Sequence, residues 1–317
     1  MKERIVFMGT PIFAAKALQQ LIDDHYNVVA VVTQNDKKIG RKQEVIFSPV
    51  KQLALDNNIA VLQPENIKTD YQTILDYQPD IIITCAYGQF IPQVVLEYPK
   101  FKVVNIHASL LPKYRGGAPI HHVIINGEKE TGITLMKSAA KMDAGDILVA
   151  KKIDIAIDDT TSSLHDKLIV LGCEMLHEYL PKILNNEIVS VSQNHELATF
   201  GYNISKEDEF IDFNQSYIKV YNHIRGLISW PVGYAFINGK KMKFHQVSLT
   251  NLTSDKASGT IIGFKDHQML VSVDHHVLGF GQIQLEGKKK MSADEFYNGV
   301  GKSLVEERFN ENSSNCN

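Results

Sequence analysis

Residues 102–116 read KVVNIHASLLPKYRG, and the character of the chain changes halfway through them. Val103 to Ile106 form a short β-branched run without strict polar alternation, as expected of a strand covered on both faces. The half that follows holds an imidazole, a hydroxyl, two cations, a proline and a glycine, poor material for a packed core. Three further runs resemble the first half: RIVFM (4–8), NVVAVVT (27–33) and DIIITCA (80–86). Helix-like stretches separate them. TPIFAAKALQQLIDD (10–24) carries Pro11 near its start, and SPVKQLALDNN (48–58) offers Ser48 as N-cap with Pro49 at the first helical position. Strands alternating with helices predict a doubly wound α/β domain with a mostly parallel sheet, whose ligands lie outside the carboxyl ends of the strands. In that frame Asn105 and His107, two residues apart, share one face near the end of their strand.

The chain has 317 residues, of which 44% are hydrophobic and 22% charged, enough for two domains. Leu164, Leu168, Leu171, Met175, Tyr179 and Ile183 recur at helical spacing and predict a long helix over 160–184 that closes the first domain, residues 1–186. Residues 187–206 are polar with weak periodicity and read as a linker. The second domain, 207–317, opens with a helix near 214–228. Asn238-Gly239 then separates two strand-like runs and predicts a hairpin. GTIIGF, MLVSVD and LGFGQIQLEG add short strands, so this domain is expected to be a small OB-like β-barrel with a disordered tail over NENSSNCN. Cys85, Cys173 and Cys316 fit neither a disulfide framework nor close metal-ligand spacing. No run approaches eighteen apolar residues, and MKERIVFMGTP lacks the long apolar stretch of a signal peptide. These features predict a soluble cytoplasmic protein, expected to be monomeric.

SLLPKYRGGAP follows the Asn105/His107 pair directly, and KMDAGDIL comes later, at 141–148. Together these pieces resemble the formyltransferase family that uses 10-formyltetrahydrofolate. The resemblance implies Asn105, His107 and Asp143 as the catalytic set, 10-formyltetrahydrofolate as formyl donor, and no metal. It also implies a folate site built from Ser109, Leu110, Leu111 and Pro112, from Tyr87, Gly88, Gln89, Phe90 and Ile91 in the loop after DIIITCA, and from the loop around Asp143. FMGTPIFA (7–14), VVTQNDKKIGRK (31–42), SPVK (48–51), IRGLISWPVGY (224–234) and IQLEGKKKMSADEF (283–296) extend the likeness from residue 5 to about residue 300 and resemble the branch that acts on methionyl-tRNA. That branch implies initiator methionyl-tRNA as acceptor. Gln34-Asn35-Asp36 stands where relatives often have Gln-Pro-Asp, and Ser229-Trp230-Pro231 where they often have Pro-Trp-Pro. The lost prolines bear on loop stiffness and not on the reaction.

The chemistry of these residue types agrees. Moving a formyl group from a folate nitrogen to an amine requires attack on a carbonyl carbon, stabilisation of its oxygen as charge develops, and transfer of a proton. An amide N–H of Asn105 can stabilise that oxygen, an effect worth about 3 kcal/mol in comparable sites. His107 can join it as donor or carry the proton, and Asp143 can orient the imidazole. The amine itself attacks, so no covalent nucleophile is needed. A serine-hydrolase reading of Ser109, His107 and Asp143 lacks the G-x-S-x-G elbow. A metal site using His107, His121, His122 and Asp143 is disfavoured, because adjacent His121 and His122 on a helix diverge by about 100°. Two other readings compete: a sugar-nucleotide formyltransferase, and a non-catalytic folate- or RNA-binding protein, which the intact Asn-His-Asp set disfavours.

A net charge of -3 argues against wholesale coating of nucleic acid, so contact with tRNA has to come from local charge. Over 34–51, Lys37, Lys38, Arg41, Lys42 and Lys51 exceed Asp36 and Glu44, leaving the segment at net +3. Arg41 follows Gly40 and carries a planar fork suited to phosphate. Lys240, Lys241 and Lys243 form one cluster in the second domain, and Lys288, Lys289 and Lys290 form another.

Overall fold

The computed structural model describes residues 2–39 and 44–309. Its contacts group into two units: residues up to 119 with 130–154 and 165–202, and residues 120–129 and 155–164 with everything described from 203 onward.

The first unit opens with β1 (Ile5–Gly9), α1 (Ile12–Asp23) and β2 (Val28–Val32), then a hairpin of β3 (Lys37–Ile39) and β4 (Glu44–Ile46). It continues through α2 (Pro49–Asp56), β5 (Ala60–Leu62), α3 (Ile67–Asp70), α4 (Gln72–Leu75), β6 (Ile81–Cys85), α5 (Gln93–Glu97) and β7 (Val103–His107). After α6 (Pro119–Ile125), β8 (Glu130–Lys137) and β9 (Ile147–Asp154) complete its sheet, and α7 (Thr161–Leu184) follows. The sheet order is β5-β2-β1-β6-β7-β8-β9. The first five strands run parallel, and β8 and β9 are antiparallel additions. This is the expected mostly parallel, doubly wound sheet. Every residue of β1 and of β6 is buried, as the unalternating runs predicted.

Local signals act where they were read. The Ser48 hydroxyl accepts the Lys51 amide at 3.1 Å, with Pro49 opening α2. On α7, Leu164, Leu168, Leu171, Met175 and Ile183 are buried, while the Tyr179 ring lies beneath the Lys151 and Lys182 ammonium groups at 5.2 and 4.5 Å. Strand order reverses between β1 and β6, where Gly9 pairs with Cys85. A Cβ on Gly9 would lie 2.5 Å from the Ala14 Cβ and 2.7 Å from the Cys85 carbonyl, so only glycine lets the α1 turn approach this closely. The crevice outside these carboxyl ends is where ligands of such sheets bind.

The second unit holds most of α6, then α8 (Tyr217–Arg225), β10 (Tyr234–Ile237), β11 (Lys240–Thr253), β12 (Ile261–Lys265), β13 (Gln268–Val273), β14 (His276–Leu285), β15 (Met291–Ser292) and α9 (Ala293–Asn298). Its antiparallel sheet runs β10-β11-β14-β13-β12, with β15 paired to β14. Asn238 and Gly239 turn the β10–β11 hairpin with φ of 48° and 74°, the left-handed pair that an Asn-Gly turn supplies. Phe213, Phe244, Phe280 and Phe309 pack as one aromatic core, with ring centroids as close as 4.9 Å. Ser292 and Glu295 close a capping box on α9. The expected tail lies outside the described residues.

On α8, burial pushes His223 below the usual imidazole range, although its hydrogen bond to the Asp208 carbonyl at 2.7 Å and the nearby Asp208 and Asp212 carboxylates pull the other way. The unfolded chain therefore binds a proton near pH about 6.5, before the folded chain does, and stability falls as pH drops through that value. His223→Gln, which keeps a donor for the carbonyl but does not titrate, should lose less melting temperature than the parent between neutral pH and about pH 5. Parallel thermal-unfolding curves for parent and variant would contradict this.

Candidate active site

Parallel pairing sets Thr84 of β6 beside Asn105 of β7, and antiparallel pairing sets Thr134 of β8 beside His107. The Thr84 hydroxyl donates to the Asn105 side-chain oxygen at 2.8 Å. With that oxygen engaged, the Asn105 NH₂ is left as the outward donor. His107 is 6% exposed, and its Nε2 donates to the Tyr114 carbonyl at 3.0 Å. The other ring nitrogen, Nδ1, lies 3.7 Å from the Asp143 carboxylate. That is ion-pair range and longer than a hydrogen bond. The same Asp143 oxygen accepts the Gly116 backbone amide at 2.8 Å. Asp143, remote in sequence, is thus brought to His107, which shares its strand with Asn105.

The SLLP segment is braced from β8. The Thr134 hydroxyl donates to the Ser109 carbonyl at 2.7 Å and accepts the Leu111 amide at 3.2 Å. The Ser109 hydroxyl, fully buried, donates to the Lys113 carbonyl at 2.7 Å, an arrangement that holds the turn and leaves no attacking role. Leu111 is buried, Leu110 and Pro112 partly so, and the Leu111–Pro112 peptide is cis. A Cβ on Gly132 would fall 2.0 Å from the Lys151 carbonyl and 2.7 Å from Leu110 Cδ2, so β8 and β9 close beneath the segment only with glycine there.

In the loop after β6 the assigned folate residues divide. Gly88 and Phe90 are exposed, and Ala86 and Gly88 turn the chain with φ of 47° and 91°. Tyr87 is instead packed in the core with Met8, Ile82 and Val95, and burial pushes its phenol up to about 12. Its hydroxyl meets no hydrogen-bond partner among the described residues, whereas its carbonyl accepts Gln34 Nε2 at 2.9 Å. The Gln89 side chain accepts the Ile67 amide at 3.2 Å at the start of α3, and Ile91 packs partly against the same core.

Of the basic residues, Lys37 and Lys38 are exposed on β3, while Arg41 and Lys42 lie outside the described residues. Lys51, counted toward the same basic segment, is committed elsewhere: its ammonium donates to Asp36 at 2.6 Å and to Gln63 at 2.8 Å. Exposed Lys288, Lys289 and Lys290 follow β14, whose pairing of Gln284 with Lys243 and of Leu285 with Met242 brings the two lysine clusters of the second unit together. His121 sits on α6 with its Nε2 at 3.0 Å from the Trp230 carbonyl, and among the described residues no three His, Cys, Asp or Glu side chains gather as metal ligands.

Sequence reasoning passed over Thr84, Thr134, Arg115 and Gln193. Arg115 stood inside the quoted motif, but the partners of its guanidinium, buried Gln193 and exposed His195, belong to the segment read as a linker. No local signal marks a polar residue that becomes buried only on folding.

An amide donor and an imidazole thus stand on one strand of a doubly wound sheet, with a carboxylate from a following loop beside the imidazole. Residues 3–180 match the formyl transferase family, and residues 203–301 match the formyl transferase C-terminal domain. A methionyl-tRNA formyltransferase of Halalkalibacterium halodurans is 46% identical over 304 residues, covering 95% of this chain and 96% of its own length. One of Malacoplasma penetrans is 45% identical over 297 residues, covering 94% and 93%. The chain belongs to the formyl transferase family, in its methionyl-tRNA formyltransferase branch. Two solved structures share the fold at low identity. HypX from Aquifex aeolicus, in complex with tetrahydrofolic acid, has a TM-score of 0.70 at 15% identity over 96% of this chain and 48% of its own. A methionyl-tRNA formyltransferase from Clostridium thermocellum has a TM-score of 0.56 at 18% identity, over 78% of this chain and 94% of its own.

Because the Tyr87 hydroxyl lacks a protein partner, Tyr87→Phe should leave stability unchanged or raise it, where loss of a satisfied buried hydroxyl costs about 1 kcal/mol. A fall in melting temperature of several degrees would show that this hydroxyl is satisfied in the folded chain.

Proposed function

We infer that this chain transfers the formyl group of 10-formyltetrahydrofolate to the amine of initiator methionyl-tRNA, yielding N-formylmethionyl-tRNA for translation initiation. The observation that carries this reading is 45–46% identity over nearly the whole chain to curated methionyl-tRNA formyltransferases, in a chain that also sets Asp143 beside His107 on the strand that bears Asn105. The reading includes a monomeric enzyme acting in the cytoplasm.

The folate supplies an activated formyl carbonyl. The residues fit such a donor: exposed Ala86 and Gly88, with φ of 47° and 91°, lie just beyond β6, and a Cβ on Gly88 would touch nothing closer than Gln34 Nε2 at 3.5 Å. A flat ring entering there meets backbone groups that can read its edge. Pro112 and Leu110 contribute apolar wall. Asn105, its oxygen held by Thr84, aims its NH₂ at the formyl oxygen and stabilises the charge that develops there. As the methionyl nitrogen bonds to the formyl carbon, His107 takes the proton that this amine sheds and returns it to the folate nitrogen when that nitrogen's bond to the formyl carbon breaks, and Asp143 steadies the charged imidazole across 3.7 Å. Binding of tRNA is assigned to the 34–51 segment through Lys37, Lys38, Arg41 and Lys42, and to the second domain through Lys288, Lys289 and Lys290 beside Lys240 and Lys243. Residues 1–186 would then carry the chemistry, and 207–317 would help hold the tRNA.

The direct test is formyl transfer from 10-formyltetrahydrofolate to initiator methionyl-tRNA, with elongator methionyl-tRNA and an amino-sugar nucleotide as comparison acceptors. Preference for the sugar nucleotide would replace this reading with a sugar-nucleotide formyltransferase. Asn105→Ala, His107→Ala and Asp143→Asn should each lower kcat by about a hundredfold or more while folate binding and melting temperature change little. Equal losses in turnover and folate affinity would make these residues structural. Arg41→Ala should reduce kcat/KM for methionyl-tRNA by at least about tenfold and flatten its salt dependence. Parental kinetics at every salt concentration would remove Arg41 from the interface.

A further inference from the structure

Asp143 holds an unusual backbone conformation. Its φ of 48° lies in the left-handed region, which a non-glycine residue keeps only when its surroundings hold it there. Two residues on, a Cβ at Gly145 would fall 1.9 Å from the Lys137 carbonyl, so the turn is pressed against the end of β8. A turn so constrained needs fixed partners for its outward carbonyls.

Gln193 provides them. Its side chain, in a residue 7% exposed, donates to the Asp143 carbonyl at 2.9 Å and to the Gly145 carbonyl at 2.6 Å. Its oxygen accepts the Arg115 guanidinium at 2.6 Å through Nη2 and 3.2 Å through Nε. Arg115, itself 6% exposed, also donates to His195 Nδ1 at 2.9 Å. Its backbone is tied to the same segment: the Arg115 amide donates to the Thr199 carbonyl at 2.9 Å, and the Gly201 amide donates to the Arg115 carbonyl at 2.8 Å. The circuit then closes on the carboxylate, because Gly116, next to Arg115, donates its amide to Asp143 at 2.8 Å. Both N–H groups and the oxygen of the Gln193 amide are engaged, so the side chain has one workable orientation.

We propose that Gln193 is a positioning residue for Asp143: its amide clamps the Asp143–Gly145 turn, Arg115 aligns that amide, and the carboxylate is thereby held at its distance from His107. The proposal rests on the catalytic role assigned to Asp143 above. It gives the segment read as a linker a part in the reaction, acting through the turn and without touching substrate.

Two substitutions separate the clamp from a simpler role. Gln193→Glu keeps the size of the side chain and an acceptor for Arg115, but it has no N–H for the two carbonyls. Gln193→Leu removes both functions. If the clamp matters, both variants should lose at least about tenfold in kcat, a loss comparable to removing a group that orients a metal ligand. KM for methionyl-tRNA should stay near the parental value. Amide hydrogen exchange over 142–146 should quicken by a similar factor while the β1 amides keep their protection. A Gln193→Glu variant with parental kcat and parental exchange would overturn the proposal, leaving Gln193 only as a partner for Arg115. Activity that falls only in step with the unfolded fraction, with exchange of the turn unchanged, would overturn it as well. A parent chain that fails to formylate methionyl-tRNA would refute the functional reading, and the exchange comparison would still decide the clamp.

Discussion

A strand buried on both faces must satisfy every backbone group from the strands beside it, and β7 is where that constraint shapes the rest of the molecule. Parallel pairing with β6 and antiparallel pairing with β8 leave one register, and that register delivers Thr84 to Asn105 and Thr134 to the SLLP turn. The hydroxyls of the two neighbours orient the groups at the end of β7. A slip of one residue would carry Asn105 and His107 to the opposite face. The sheet therefore acts as the jig on which the candidate site is assembled.

Around that jig the polar groups are nearly all committed. Ser109 is spent on Lys113, His107 Nε2 on Tyr114, and Gly116 on Asp143. What remains uncommitted is specific: the NH₂ of Asn105, the imidazole edge toward Asp143, and the exposed residues Ala86 and Gly88 on either side of buried Tyr87. An acyl-transfer site profits from such preorganisation, because donors already aimed at a developing charge need not reorganise when it appears. Exposed lysines stand on β3 and after β14, where screened charge costs folding little.

The sheet, its mostly parallel order, the helix ending at Leu184, the Ser48 cap and the Asn238-Gly239 hairpin were all legible in the sequence, because each rests on a local rule. Periodicity follows from burial, caps from orphan amides, and the Asn-Gly turn from positive φ. Asn105 and His107 stood in a continuous motif at the end of a readable strand and Asp143 in a second motif further on, and the structure sets the Asp143 carboxylate 3.7 Å from His107 Nδ1. Tyr87 marks the limit of such reading. Its place in a folate-loop motif did not reveal that its ring packs inward, a result of the left-handed turns at Ala86 and Gly88 on either side of it.

By itself, the sequence determined which residue types stand at the carboxyl end of a buried strand, and hence the reaction class they suit. Only the tertiary structure decided their partners. Lys51 counted as a free cation until folding set it against Asp36 and Gln63, and Gln193 was an unremarkable polar residue until folding buried it between Arg115 and the Asp143 turn. The physical reason is range. Dihedral preference and apolar periodicity act over a few neighbouring residues and are written in the chain, whereas a hydrogen bond between residues 78 apart exists only after the backbone has brought them within 3 Å.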